Sequence, residues 1–156
     1  MPSNKVWLRE DEVKGGHEHQ WGRYYRLKLG DVFVEAGAYL CRYGRIASKR
    51  VGPEGRVILI EPSPPNIWWI KKVVKDMKLT NVTLLEKAVW NERTQIEFRI
   101  DGVPTGNRIV KTGYPQTAEI VKVEADTVDN ILDDLGLDHV DLFAADVENA
   151  EIEMVQ

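Results

Sequence analysis

Gly30-Asp31-Val32-Phe33-Val34-Glu35-Ala36-Gly37-Ala38 is the stretch on which the fold turns. Its middle, from Val32 to Ala36, is short and almost wholly apolar. A strand buried on both faces of a parallel sheet reads this way, whereas a half-exposed strand would alternate. Gly30-Asp31 breaks the chain before it. Gly37 lets the backbone turn tightly after it and approach a ligand with no β-carbon in the way.

Working toward the C-terminus, residues 39–50 read as a helix, with Leu40, Tyr43, Ile46 and Ala47 inward and Arg42, Arg45 and Lys49 outward. Val51-Gly52-Pro53-Glu54-Gly55 is a turn. A second apolar strand over residues 56–60 ends in Glu61-Pro62. Ser63 suits the cap of the next helix and Pro64 its first turn, where no backbone donor is missed. Ile67, Ile70, Val74 and Met77 recur at helical spacing up to Leu79, and residues 82–89 form a third strand. The pattern then changes. Residues 94–100 alternate, with Ile96, Phe98 and Ile100 against Gln95, Glu97 and Arg99, and residues 119–125 alternate again. Between them, residues 101–117 hold three glycines and two prolines and read as a loop. Residues 127–135 are a short helix, 140–145 a further buried strand, and 148–156 begin another helix.

Working toward the N-terminus, Trp21, Tyr24, Tyr25 and Leu27 follow a helical stripe within residues 18–28, joined to a mixed opening by Gly15-Gly16. Strands alternating with helices of about a dozen residues imply right-handed crossovers and a parallel sheet covered on both sides. The expected architecture is α/β and Rossmann-like, mostly parallel, with the two alternating segments as an antiparallel excursion on the rim. Residues 1–29 would be an N-terminal extension with a helix, and residues 30–156 the α/β domain.

The chain of 156 residues fits one such domain, and 43% hydrophobic with 29% charged residues is an ordinary globular balance. The net charge of −4 argues against a dedicated nucleic-acid binder. One cysteine, Cys41, excludes an internal disulfide framework and suits a reducing compartment. No apolar run approaches the ~20 residues that span a membrane. The opening MPSNKVWLREDE is too polar for a signal peptide, so a soluble cytoplasmic protein is expected.

Open α/β sheets bind ligands beyond the carboxyl ends of their strands. Three segments should converge there. The first is Glu35-Ala36-Gly37-Ala38-Tyr39. The second is Glu61, 26 residues after Glu35, placed to accept hydrogen bonds from both ribose hydroxyls of an adenosine cofactor. The third is Asp146, closing the last strand beside Glu148. A nicotinamide-dependent dehydrogenase would share the glycine turn and the acid, but the first loop lacks the three-glycine spacing that approaches a pyrophosphate.

Six blocks then occur in order: residues 30–38, Val51-Gly52-Pro53-Glu54-Gly55-Arg56-Val57, Glu61-Pro62, Asn81-Val82-Thr83, Thr127-Val128-Asp129-Asn130-Ile131-Leu132 and Asp146-Val147-Glu148-Asn149-Ala150-Glu151. The series resembles the FkbM family of S-adenosylmethionine-dependent O-methyltransferases, from about Leu29 to the last residue. The resemblance implies S-adenosylmethionine as cofactor. Glu35, Gly37 and Ala38 would line its methionine end, with Tyr39 also binding the cofactor, Glu61 would hold the ribose, and Lys87-Ala88-Val89 would pass close to the adenine. Asp146 and Glu148 would face the transferred methyl and the acceptor, a hydroxyl on a small molecule or sugar. Methyl transfer from a sulfonium is an in-line displacement, so the protein's work is alignment plus activation of the acceptor. A carboxylate such as Asp146 could take the proton or help orient a metal.

The departures from the family pattern gather at this site. The usual Asp-x-Gly-Ala-Asn-x-Gly has Glu35 for the aspartate, Tyr39 for the asparagine and Cys41 for the second glycine. The lysine two residues before the motif aspartate is Ala144, and the glycine of Asp-Val-Glu-Gly is Asn149. These changes favour an alternative, a methyltransferase-like binding or assembly module without catalysis. Family members also continue into further strands, whereas this sequence stops at Met154-Val155-Gln156. The strand over 140–145 would then lie at an open edge, which native proteins rarely leave bare. Either the chain is a fragment, or a partner covers that edge, a second copy forming a homodimer among the options.

Other features have plainer readings. His17-Glu18-His19 reads as a polar loop, not a metal site. Cys41 reads as a small packed side chain, although a thiol near a helix N-terminus can be reactive. Trp68 and Trp69 read as core or interface packing, and Arg42, Arg45, Lys49 and Arg50 as a solvated basic face. Residues 1–29 and 101–117 would build the acceptor site, and neither carries an interpretable motif.

Overall fold

The apolar runs assemble into a four-stranded, wholly parallel sheet in the computed structural model, which describes residues 25–100, 108–109, 119–147 and 150–155. Strand β1 (Val32–Ala36) lies at its centre, paired on one side with β2 (Arg56–Ile60) and on the other with β8 (Leu142–Ala145). Strand β3 (Val82–Leu85) continues the sheet beyond β2, giving the order β3-β2-β1-β8. Helices α1 (Gly44–Val51) and α2 (Pro64–Asp76) follow β1 and β2, and α3 (Val128–Asp134) precedes β8.

Strand periodicity of two divides the sheet's side chains between two cores. Phe33, Val57 and Leu59 point to one face and join Ala47, Val51, Ile70 and Val73 of α1 and α2. Val34, Ala36, Ile58 and Ile60 point to the other and meet Ile131 of α3. All five residues of β1 are buried. An apolar run without alternation is what this double cover requires, and that is why the opening stretch decides the fold.

A second sheet carries the two alternating segments. Strand β5 (Thr94–Ile100) pairs antiparallel with β7 (Glu119–Asp126) over seven positions and with β6 (Arg108–Ile109) on its far side. The antiparallel excursion is therefore present, as a sheet of its own that also takes in β4 (Ala88–Val89), in the order β4-β7-β5-β6. Phe98, Val123 and Ala125 form its buried face.

Several expected boundaries shift. The third strand, expected over residues 82–89, breaks at Glu86-Lys87, and β4 (Ala88–Val89) crosses to pair with β7. The backbone amide of Glu61 bonds the Leu85 carbonyl as the two chains part, at 3.0 Å. The first helix, expected from residue 39, starts only at Gly44 because residues 39–43 form turns in which Tyr39 and Cys41 adopt φ of 49° and 59°. Its phase shifts accordingly: Arg45 is buried, not outward, and Leu40, Tyr43 and Ile46 are half-buried. Ser63 is the N-cap residue of α2 by position, but its side chain makes no capping hydrogen bond. Trp68 stands 59% exposed on α2, so it is not a core residue. Residues 25–28 are not helical, and the rest of the expected N-terminal helix, with His17-Glu18-His19, lies outside the described residues. Where a helix was expected over residues 148–156, the described residues 150–155 form turns and a 3-10 segment (Glu153–Val155), the others lying outside the described residues. Among the described residues no helix is long and apolar enough to cross a membrane.

Candidate cofactor-binding site

The first loop is laid across the end of β2 by hydrogen bonds that its own backbone makes. The amides of Gly37 and Ala38 both donate to the Ile60 carbonyl, at 2.9 and 3.2 Å. Two residues on, the Tyr39 amide donates to Glu61 Oε2 at 2.8 Å. The turn after β1 and the acid after β2 are therefore neighbours, as the sequence required. Gly37 has φ of 80°, and a β-carbon there would overlap the Asp146 carbonyl. Its freedom thus serves two ends: a backbone conformation that other residues rarely adopt, and close passage of the loop against the end of β8.

Glu61 is 4% exposed and uses both carboxylate oxygens. Oε1 accepts from the Ser63 amide at 3.0 Å and from Asn66 Nδ2 at 3.2 Å, so the acid also anchors the first turn of α2. Burial raises its pKa, and the hydrogen bonds from Ser63, Tyr39 and Asn66 oppose that rise.

Glu35 sits on the α1 side of β1, opposite Leu59 of β2 and Ala144 of β8. It is 4% exposed, accepts a hydrogen bond from the Gly44 amide at the start of α1, and leaves Oε2 buried without a partner. Burial pushes its carboxyl up to about 8, and the negative charges of Glu61 and Asp146 add to the rise.

Cys41 does not enter the mouth of the sheet. Its side chain is fully buried in the core under α1, and burial with the nearby Glu35 pushes the thiol up to about 12. A thiol held protonated in this way is a packing group, not a nucleophile. The glycine that the family pattern places here is explained by the left-handed φ of 59°.

The remaining expected site residues are placed as follows. Ala38 is buried in the core beneath the loop, and Tyr39 is half-buried. Asp146 is exposed at the end of β8, its amide bonded to the Ala36 carbonyl at 3.0 Å. Ala88 and Val89 are 3% and 2% exposed and pack into two different cores, so a ligand would meet that segment through Lys87 or the backbone. Glu148 and Asn149 lie outside the described residues. Among the described residues no group of three metal-ligating side chains is assembled.

One cluster went unread in the sequence. Asp126, 1% exposed at the end of β7, accepts from Arg93 Nε at 2.9 Å, Lys87 Nζ at 3.3 Å, Asn130 Nδ2 at 2.9 Å and the Thr127 amide at 3.0 Å. Arg93 reaches on to Asp134 of α3 at 2.7 Å. The signal was available: like Glu61 before Ser63, Asp126 is an acid closing a strand just before a helix cap. Thr127 is that cap, accepting from the Asn130 amide at 3.1 Å.

The sequence model described as Methyltransferase FkbM domain matches residues 31–156. The chain belongs to the FkbM methyltransferase family. A crystal structure of an FkbM methyltransferase from Methylobacillus flagellatus KT is similar to this FkbM domain with a TM-score of 0.59 and 16% identity, over 84% of this chain and 29% of that one. A methyltransferase from Aquifex aeolicus described as SAM-dependent matches at a TM-score of 0.46 and 21% identity, over 54% of this chain and 44% of that one. The FkbM domain thus spans less than half the length of either. The comparison with curated proteins gives no match. At such identities the first likeness speaks for the fold: a Rossmann-like sheet of the methyltransferase type.

Proposed function

We propose that this FkbM domain binds S-adenosylmethionine at the mouth of its parallel sheet and serves methyl transfer to a hydroxyl on a small molecule or sugar. One observation carries the reading: the Gly37 turn and the Glu61 carboxylate meet at the carboxyl ends of β1 and β2, joined by the Tyr39 amide. Glu61 would accept the ribose hydroxyls in place of, or alongside, that amide. The Gly37 loop would carry the methionine end between Glu35 and Asp146. Lys87 and the backbone after β3 would flank the adenine.

The cofactor would supply an activated methyl on a sulfonium. The chain's part is to align that methyl with the acceptor, since orientation contributes most of what an in-line displacement needs. Asp146, exposed at the end of β8, would accept the proton that the acceptor hydroxyl loses. Residues 1–29 and 101–117 would frame the acceptor. The alternative of a binding module without catalysis rested partly on Cys41, and that side chain lies in the core, clear of the proposed pocket. Calorimetry tests the reading. S-adenosylmethionine is expected to bind, and Glu61→Ala to weaken it at least tenfold. Absence of binding at millimolar cofactor would remove it.

A further inference from the structure

Among the described residues, the Glu35 carboxylate makes no ion pair. Its Oε2 is buried without a hydrogen-bond partner, and the whole residue is 4% exposed. The charged groups acting on it are Glu61, at the end of β2, and Asp146, at the end of β8, both of its own sign. The Cys41 thiol of the first loop is acted on both by Glu35 and by Arg45 of α1. Directly across β8 its register partner is Ala144, which offers neither charge nor hydrogen bond. Among the described residues, the Gly44 amide favours the ionised form. A bare carboxylate in such a place is costly, and the group adapts by holding a proton.

The cofactor reading above places a primary ammonium, the amino group of the methionine arm, at this end of the sheet. We propose that Glu35 stands as a neutral acid before a ligand binds and gives its proton to solvent when the ligand's ammonium seats beside it, so that loading releases about one proton. The O–H bond of the carboxyl breaks, the proton passes to buffer, and the new carboxylate pairs with the ammonium. This inference rests on the cofactor site and goes beyond it by assigning the site a proton stoichiometry.

S-adenosylhomocysteine carries the same ammonium without the sulfonium, and 5′-methylthioadenosine carries the nucleoside without the amino-acid arm. Titration of the whole chain with each, in two buffers of different ionisation enthalpy at pH 7, counts the protons. Release close to one is expected with S-adenosylhomocysteine and none with methylthioadenosine. The Kd of S-adenosylhomocysteine should tighten by about tenfold per pH unit from 6 to 7, while that of methylthioadenosine stays flat. Glu35→Gln should abolish both the release and the slope. Ala144→Lys, which sets an ammonium opposite Glu35 across the strand pair, should abolish them too and serves if Glu35→Gln fails to fold. Binding of S-adenosylhomocysteine without proton release, or release that persists in Ala144→Lys, overturns the inference while leaving the cofactor site intact. If neither ligand binds, the cofactor reading falls. The resting neutral acid is then judged by whether Ala144→Lys removes the loss of thermal stability between pH 5 and 8.

Discussion

At Gly37 a single hydrogen atom in place of a side chain lets two strand ends meet. Replacement by alanine would force a β-carbon into the Asp146 carbonyl at a φ of 80°, so the loop or β8 must move. Gly37→Ala is therefore expected to cost about 2–3 kcal/mol in denaturant unfolding, from left-handed strain plus displacement. It should also weaken cofactor binding by more than tenfold, which calorimetry would show. Glu35 was expected from the sequence to line the site, but the burial that leaves its Oε2 without a partner was not legible there. That property depends on which groups face it across β2 and β8, and only register supplies them. Cys41 shows the opposite case. Its departure from the family glycine was visible, yet whether the thiol pointed into the pocket or the core required the turn geometry of residues 39–43.

Helix endings show how an element tolerates an unfavourable residue. Both α2 and α3 finish with the same paired hydrogen bonds. In α3 the Gly136 amide bonds the Asp133 carbonyl at 2.9 Å, and the Leu137 amide bonds that of Leu132 at 3.0 Å. In α2 the Lys78 amide bonds the Lys75 carbonyl at 3.2 Å, and the Leu79 amide bonds that of Val74 at 3.0 Å. The left-handed residue is Gly136 in one, at φ of 61°, and Lys78 in the other, at φ of 53°. Only the first is the residue that this ending prefers. Lys78→Gly is expected to stabilise the protein by about 1 kcal/mol, read as a rise in the midpoint of urea unfolding with an unchanged slope. The strands of the parallel sheet were readable to the residue for β1 and β2, because double burial leaves no other pattern. The first helix and the third strand were misjudged for one reason. Apolar periodicity continues through residues whose backbone leaves the element, at Tyr39 and Cys41 in one case and at Glu86-Lys87 in the other.

At the scale of the molecule, two buried acids give stability opposite dependences on pH. Burial works to raise the pKa of Asp126, but the hydrogen bonds from Asn130, Lys87 and the Thr127 amide outweigh it and hold the carboxyl below its ordinary value of 3.8. Its contribution is present above that value and is lost as pH falls through the depressed one. Asp126→Asn is expected to remove about 1–3 kcal/mol at pH 7 and to flatten the acid limb of a Tm-against-pH curve. Glu35 behaves in reverse. With its folded value near 8 and an ordinary value of 4.5, its contribution is complete below 4.5 and declines as pH rises through 8. Tm should fall between pH 5 and 8, and Glu35→Gln should remove most of that slope. The division into a parallel sheet and an antiparallel rim was legible from the change of period after residue 90. The Asp126 cluster that fastens the two was not, because Lys87, Arg93, Asp126 and Asp134 come together only after the crossing of β4.

The hydrogen bond from the Tyr39 amide to Glu61 has a kinetic side. A ribose that takes the amide's place in the proposed site would compete with a bond the chain already makes to itself. On the proposed site, capture would therefore proceed in two stages, a fast encounter followed by an exchange whose speed is the loop's own. Rapid-mixing fluorescence should then show an observed rate that climbs with ligand concentration and levels off at the frequency with which that latch opens.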